Sequence, residues 1–136
     1  MSDALISPID NSIRDEAILL RRVHPDLFVQ DSSDGKHRLS SSVFQNDKGT
    51  LSLSVIIKDR TGLTIDQILS GDYKDYGMAS FTAKFARENN QGIMHTPIQE
   101  YFGHGDLIGD KGTRKNKTIR YKFIKHCKFE RAPIIR

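Results

Sequence analysis

Residues 51–58 give the clearest local signal in the chain, because their apolar and polar side chains alternate. Successive side chains of a β-strand point to opposite faces, so this spacing predicts a strand with one buried face. Strands of this kind are typical of antiparallel sheets that are covered on one side. The apolar residues at every second position are Leu51, Leu53, Val55 and Ile57.

The residues before this strand supply a pairing partner. Residues 45–50 are rich in turn-forming residues and include Gly49, which can adopt a left-handed conformation, and residues 37–44 precede them. We therefore predict a β-hairpin over residues 37–58. It is expected to be the centre of a small, mainly antiparallel sheet with two or three helices packed on it, which is an α+β fold.

One face of the predicted hairpin would be polar. A guanidinium surrounded by hydroxyls suits a phosphate or a carboxylate, whereas a solvent-facing pair of strands would carry the same residue types. The residues that alternation places on this face are Arg38, Ser40, Ser42, Ser52 and Ser54.

Other segments leave the choice between helix and strand open. Residues 18–23 are either a strand or the end of a helix that Pro25 terminates. Residues 78–89 favour a helix over a strand, whereas residues 118–124 alternate as a strand would and a helix competes. Two shorter elements are also predicted: a helix over residues 65–69, capped by Thr64, and a strand over residues 107–108.

The chain has 136 residues, which fits one domain with an ordinary core. We expect this domain over residues 11–129, with a flexible lead-in over residues 1–10 and a C-terminal tail over residues 130–136. The single cysteine, Cys127, excludes a disulfide scaffold and indicates a reducing compartment. No signal peptide is visible, and no apolar run approaches the ~20 residues that span a bilayer, so we expect a cytoplasmic protein without a membrane anchor.

Charge is distributed unevenly along the sequence. Residues 1–110 hold 11 Lys/Arg and 16 Asp/Glu, a balance of −5, whereas residues 111–136 hold 10 Lys/Arg and one acid, a balance of +9. This asymmetry predicts an anionic partner, which is nucleic acid, an acidic protein face or anionic lipid, although a solvated C-terminal face would have the same composition. The expected contact residues are Lys111, Arg114, Lys115, Lys117, Arg120 and Lys122.

His104 is the strongest candidate for acid–base chemistry. The five histidines lack the spacing that is typical of a metal site, and we expect neither a metal nor a cofactor. His104 lies between Gly103 and Gly105, which would let a ligand approach the backbone, and Asp106 could orient the imidazole. The alternative is an exposed histidine in a glycine-rich turn.

Several short strings, taken in order, are similar to a family of small, uncharacterised bacterial proteins. That family has the pattern R-R-h-x-P, R-x-S-S-x-x-F, L-S-V, Q-G, P and H-x-x-h-x-G, in which h is an apolar residue. The resemblance spans roughly residues 18–125, implies a bacterial origin and a compact domain, and brings no known activity. The chain departs from the pattern at residues 102–103 and in its basic C-terminus. The matching strings are residues 20–25, 38–44, 53–55, 91–92, Pro97 and 104–109, followed by Lys111.

The resemblance also selects polar residues at positions where a core would be apolar. Such an Arg–Ser–His set could converge in one cleft, hold a phosphate-bearing ligand and supply a proton donor. The selected residues are Arg22, Arg38, Ser40, Ser41, Ser54 and His104.

Two functional hypotheses follow. The preferred one is a bacterial binding module that contacts an anionic partner through its basic C-terminal segment. The alternative is a small enzyme that acts on a phosphate-containing substrate, such as a nucleotide, NAD or RNA. Its candidate catalytic residues are His104, Arg38, Ser40 and Ser41.

Overall fold

The computed structural model describes residues 10–30, 33–99 and 101–135, so nearly all of the predicted lead-in over residues 1–10 lies outside the described residues. The described part contains eight strands: β1 Ile18–Val23, β2 Phe28–Gln30, β3 His37–Leu39, β4 Ser52–Ile57, β5 Gly77–Thr82, β6 Gly92–His95, β7 His104–Ile108 and β8 Lys128–Arg131. It also contains four α-helices: α1 Lys58–Thr61, α2 Ile65–Ile68, α3 Ala83–Glu88 and α4 Thr118–His126.

Six of these strands form one sheet in the order β6-β7-β4-β1-β5-β8, and every neighbouring pair is antiparallel. Strands β2 and β3 form a separate antiparallel pair. The predicted α+β class with a mainly antiparallel sheet is therefore confirmed. None of the helices in the described ranges is long and apolar enough to cross a membrane.

The ambiguous residues 18–23 form a strand rather than a helix, and this strand is central to the sheet. Leu19 of β1 pairs with Ile57 of β4 on one side and with Phe81 of β5 on the other. Pro25 then begins a short 3-10 helix, Pro25–Leu27, whose first backbone positions need no N–H donor.

The predicted hairpin over residues 37–58 is wrong. Strand β3 pairs with β2 instead, and the chain leaves the extended conformation after Ser40, whose hydroxyl accepts a hydrogen bond from the Ser42 N–H at 3.2 Å. This cap begins a 3-10 helix over Ser41–Phe44, which buries Val43 and Phe44. Local side-chain capping of this kind competes with strand pairing, so the serines favour the turn.

Two other predictions need correction. Residues 78–89 hold a strand and a helix, and residues 118–124 form a helix instead of a strand. Residues 78–89 divide at Thr82, whose hydroxyl accepts from the Phe85 N–H at 3.1 Å and caps α3, so β5 occupies the first part. Residues 118–124 belong to helix α4, in which Phe123 is buried. The short helix over residues 65–69 is confirmed as α2, and Thr64 forms a capping box with Gln67. The strand at residues 107–108 is the end of the longer β7.

The main sheet is covered on both sides, and the two sides differ. The first face carries the larger apolar core, which includes Leu19, Leu53, Val55, Phe81, Phe44 and Phe123, and it is covered by α3, α4 and the 3-10 helix Ser41–Phe44. The second face carries a smaller core that includes Leu20, Ile56, Met78, Ile68 and Leu69, the last two from α2 and its C-terminal end. Helix α2, which packs on the second face, has only four residues, so the polar residues of this face are not covered by a long helix.

Candidate functional site

The basic segment, which we define as residues 111–128, begins with a structured loop. The N–H of Gly112 donates to Asp110 Oδ1 at 2.8 Å, and the N–H of Thr113 donates to Asn116 O at 2.9 Å. Gly112 has a φ of 92°, and a Cβ there would collide with Asn116 O. Only glycine fits this turn, which holds Arg114 and Lys115 at an exposed position.

The basic segment presents a set of solvated cations. Among the described residues, no carboxylate forms an ion pair with any member of this set. Glu130, the acid that follows the segment in the sequence, accepts a hydrogen bond from the Ser80 hydroxyl at 2.7 Å. The exposed members are Arg114, Lys115, Lys122, Lys125 and Lys128, and Lys117 is half-buried.

Two predicted contact residues of this segment are buried instead. Lys111 is 2% exposed, and its ammonium donates to Asn46 Oδ1, to Leu107 O at 3.0 Å and to Gly109 O at 3.2 Å. Arg120 is 4% exposed and donates to the carbonyl of Thr113. A strand would have turned Arg120 outward, whereas helix α4 turns it inward. Both residues are therefore removed from the predicted binding surface.

His104 lies on the second face of the sheet, opposite Ile56 in the pairing of β7 with β4. Its Nδ1 is 2.9 Å from the Thr96 carbonyl oxygen, and its Nε2 is 3.2 Å from Ser54 Oγ. A carbonyl oxygen only accepts, so the neutral imidazole carries its proton on Nδ1 and leaves Nε2 as an acceptor. The Ser54 hydroxyl then donates to His104 Nε2. Both side chains are half-buried.

Asp106 does not orient His104, although the sequence suggested it. Asp106 accepts a hydrogen bond from the Ser52 hydroxyl at 3.0 Å, one position further along the same face. The orienting group is the main-chain carbonyl of Thr96, which follows β6. A carbonyl has no sequence signature, so only the strand pairing could identify it.

The glycines beside His104 serve internal packing rather than ligand approach. A Cβ on Gly103 would lie 2.7 Å from Thr61 Cβ, and a Cβ on Gly105 would lie 3.0 Å from Ile57 Cδ1 and Met94 O. Both glycines are buried. They let β7 and the preceding loop approach α1 and the neighbouring strands closely.

Arg22 shares the second face with Leu20, because the two alternate with Arg21 along β1. Its guanidinium carbon lies 4.0 Å from the ring centre of Tyr73 and 5.0 Å from that of Tyr101. The Nε and Nη2 atoms are shielded from solvent and have no hydrogen-bond partner among the described residues. The aromatic faces thus stabilise a cation that no carboxylate neutralises in the described part of the chain.

The predicted convergence of Arg38, Ser40 and Ser41 with His104 is not found. Ser40 caps the 3-10 helix that packs on the first face, and Ser41 is buried in that helix. Arg38 is exposed on β3, in the separate two-stranded sheet. His104 instead shares the second face with Ser54 and Arg22, which the sequence selected as binding residues.

Cys127 is partly buried against the larger core, and burial raises the pKa of its thiol to about 11. The neighbouring lysines therefore do not activate it as a nucleophile. Among the described residues, no group of three or more His, Cys, Asp or Glu side chains is arranged to hold a metal ion.

No protein-family model, curated protein or solved structure matches the chain.

Proposed function

We propose that the protein binds the sugar–phosphate backbone of nucleic acid through the basic segment. The observation that carries this proposal is the set of exposed cations between Arg114 and Lys128 that have no carboxylate partner in the described ranges. Because these cations have no carboxylate partner, contact with phosphates breaks no existing ion pair. Binding also releases the counterions that surround the polyanion.

The composition of this surface favours phosphate over an acidic protein face. The cores of protein interfaces are depleted of lysine and rich in apolar and aromatic residues. Here Ile119 and Phe123 are turned toward the larger core, and Tyr121, which is 43% exposed, is the aromatic side chain that α4 presents to solvent. Tyr121 and Lys125 are one turn apart on the side of α4 that faces away from Phe123.

Phosphate contacts of this kind position a protein without reading sequence. Most of the exposed cations are lysines, which act as point charges on flexible stems, and Arg114 is the one exposed guanidinium within the basic segment. We therefore propose binding with little base specificity, in which Tyr121 can stack on an unpaired base. The resemblance to bacterial proteins and the single thiol fit a cytoplasmic location, where nucleic acid is abundant.

A salt titration of the full chain with fluorescently labelled DNA tests this proposal. We expect binding at low salt, with an affinity that falls linearly on a log–log plot against salt concentration. The combined variant Arg114→Gln, Lys115→Gln, Lys122→Gln removes three cations that would each neutralise a phosphate. The slope should therefore become shallower by about one for each of these cations.

The matched control removes the same number of charges elsewhere. Lys48, Lys74 and Lys84 are exposed and lie outside the basic segment, and their combined replacement by Gln should leave both affinity and slope close to those of the unmodified protein. Equal loss in the two variants would mean that only net charge matters and would contradict the proposal. Absence of binding at low salt would also contradict it. Equal affinity for polyglutamate would replace nucleic acid with an acidic protein partner.

A further inference from the structure

We propose that Ser54 and His104 form a nucleophile–base pair that hydrolyses an ester whose acyl group carries an anionic substituent. This activity is separate from nucleic acid binding, since it uses the second face of the sheet. Ser54 Oγ donates a hydrogen bond to His104 Nε2, and the two atoms are 3.2 Å apart. A hydroxyl that donates to an unprotonated imidazole nitrogen is arranged to lose its proton as it attacks.

Thr96 orients the base, His104. The Thr96 carbonyl holds Nδ1–H at 2.9 Å, and the Thr96 hydroxyl lies 3.1 Å from the same nitrogen. These contacts fix both the tautomer and the plane of the ring, and they stabilise the imidazolium that forms when Nε2 takes a proton. Thr96 is therefore a positioning residue, in the role that a carboxylate often has beside a catalytic histidine.

The same face of the sheet carries a positive charge, that of Arg22. Arg22 retains two guanidinium nitrogens without a hydrogen-bond partner among the described residues, and Tyr101, which contacts Arg22, precedes His104 by only three residues. Arg22 is half-buried, and a cation in such a position whose donors have no partner is stabilised by an anionic ligand. A carboxylate or phosphate on the acyl group would supply this anion.

The reaction balances with water as the only co-reactant. Ser54 Oγ bonds to the carbonyl carbon while its proton moves to His104 Nε2, and the alcohol then leaves with that proton. Water next attacks the acyl-serine, again giving a proton to His104, and the carboxylic acid leaves as Ser54 Oγ recovers the proton. These two reaction steps need neither a metal ion nor a redox partner.

A fluorophosphonate probe tests the pair directly. Attack by Ser54 forms the Oγ–P bond, breaks the P–F bond and releases fluoride with the serine proton. We expect mass spectrometry of the full chain to place the adduct on Ser54. Replacement His104→Gln should slow the labelling by about 10²-fold or more, which is the usual contribution of a general base.

Ser52 provides the matched control, because it lies on the same face of β4 and its hydroxyl also has a side-chain partner, Asp106. Ser52→Ala should label at the rate of the unmodified protein, and Ser54→Ala should not label. Circular dichroism confirms that each variant is folded. Absence of an adduct on Ser54 in the folded, unmodified protein would overturn the proposal, as would an unchanged labelling rate in folded His104→Gln.

The role of Arg22 is tested by the hydrolysis of two p-nitrophenyl esters, one with a carboxylate on its acyl group and one without. Arg22→Met keeps the apolar stem between the tyrosines and removes the charge. We expect it to raise KM for the anionic ester by a larger factor than KM for the neutral ester. Arg22→Lys should restore part of the difference. Equal KM values for the two esters with the unmodified protein would overturn the anionic part of the proposal.

Discussion

Lys111 is a residue whose charge matters for the fold rather than for binding. Its side chain lies among oxygen acceptors at the end of β7, and Asn46 completes this arrangement by donating from Nδ2 to Gly109 O at 3.0 Å. Burial lowers the pKa of the Lys111 ammonium from 10.5 to about 7; nearby Asp110 and Asp47 oppose this change, and Arg21 adds to it. The protonated form of Lys111 therefore makes the folded protein less stable than the neutral form does.

This shift predicts a pH dependence of stability. Between pH 7 and 10.5 the unfolded chain binds a proton at Lys111 that the folded protein has released, so the free energy of unfolding rises with pH. The full contribution is present above pH 10.5 and is lost as the pH falls through 7. The slope from this one group is at most about 1.4 kcal/mol per pH unit.

Urea unfolding of the unmodified protein and of Lys111→Met, measured across this range, checks the prediction. The variant is expected to be less stable, because it leaves buried oxygens without a donor. The difference in unfolding free energy between the two proteins should increase with pH from 7 to 10.5. Both proteins keep Cys127, so its titration cancels in the difference. A difference that does not change with pH would contradict the assignment of the low pKa to Lys111.

At the scale of single elements, helix α2 illustrates how much a cap contributes to a short helix. Thr64 Oγ1 accepts from the Gln67 N–H at 3.2 Å, and the Gln67 side chain accepts from the Thr64 N–H at 2.8 Å. A helix of four residues has few internal hydrogen bonds, so these two are a large share of its local stabilisation.

We predict that Thr64→Ala lowers the free energy of unfolding by about 1 kcal/mol, because it removes the acceptor and leaves the Gln67 N–H without its partner. Urea denaturation measures the change. Thr64→Ser retains the hydroxyl and should remain within a few tenths of a kcal/mol of the unmodified protein. A serine variant as unstable as the alanine variant would assign the effect to the missing methyl group instead.

The elements that could be predicted from sequence are those whose stabilising contacts are local in the chain. Helix α2 was predictable because its cap and its first turn are adjacent in the chain. The division of residues 78–89 at Thr82 was not, since alternating and helical spacings coincide there and the choice depends on pairing between β5 and β1. The partner of β3 was missed because Ser40 ends the strand, and β2, which precedes β3 in the chain, supplies the pairing instead of β4.

The candidate site was predictable in its members but not in their grouping. Arg22, Ser54 and His104 belong to the polar set that the resemblance to the bacterial family selects. Their common face follows only from the register that pairs Ile56 with His104. In the basic segment, the net charge was visible in the sequence, whereas the burial of Lys111 and Arg120 depends on tertiary packing.

At the scale of the whole molecule, the sheet separates two surfaces. Helix α4 packs through Phe123 on the first face, next to Phe44 at a ring-centre distance of 5.1 Å. Ser54 and His104 lie on the second face. Because a packed core lies between them, a change of side chain on one surface has no shared partner with the other, and such changes are usually independent.

We therefore predict that the two proposed activities vary independently. The combined variant Arg114→Gln, Lys115→Gln, Lys122→Gln should lose affinity for DNA and keep the fluorophosphonate labelling rate of the unmodified protein. Ser54→Ala should lose labelling and keep the DNA affinity and its salt dependence. Labelling measured with and without saturating DNA adds a third comparison, and its rate should not change. A large change in labelling on DNA binding would contradict the separation, because it would require DNA to reach or reshape the second face.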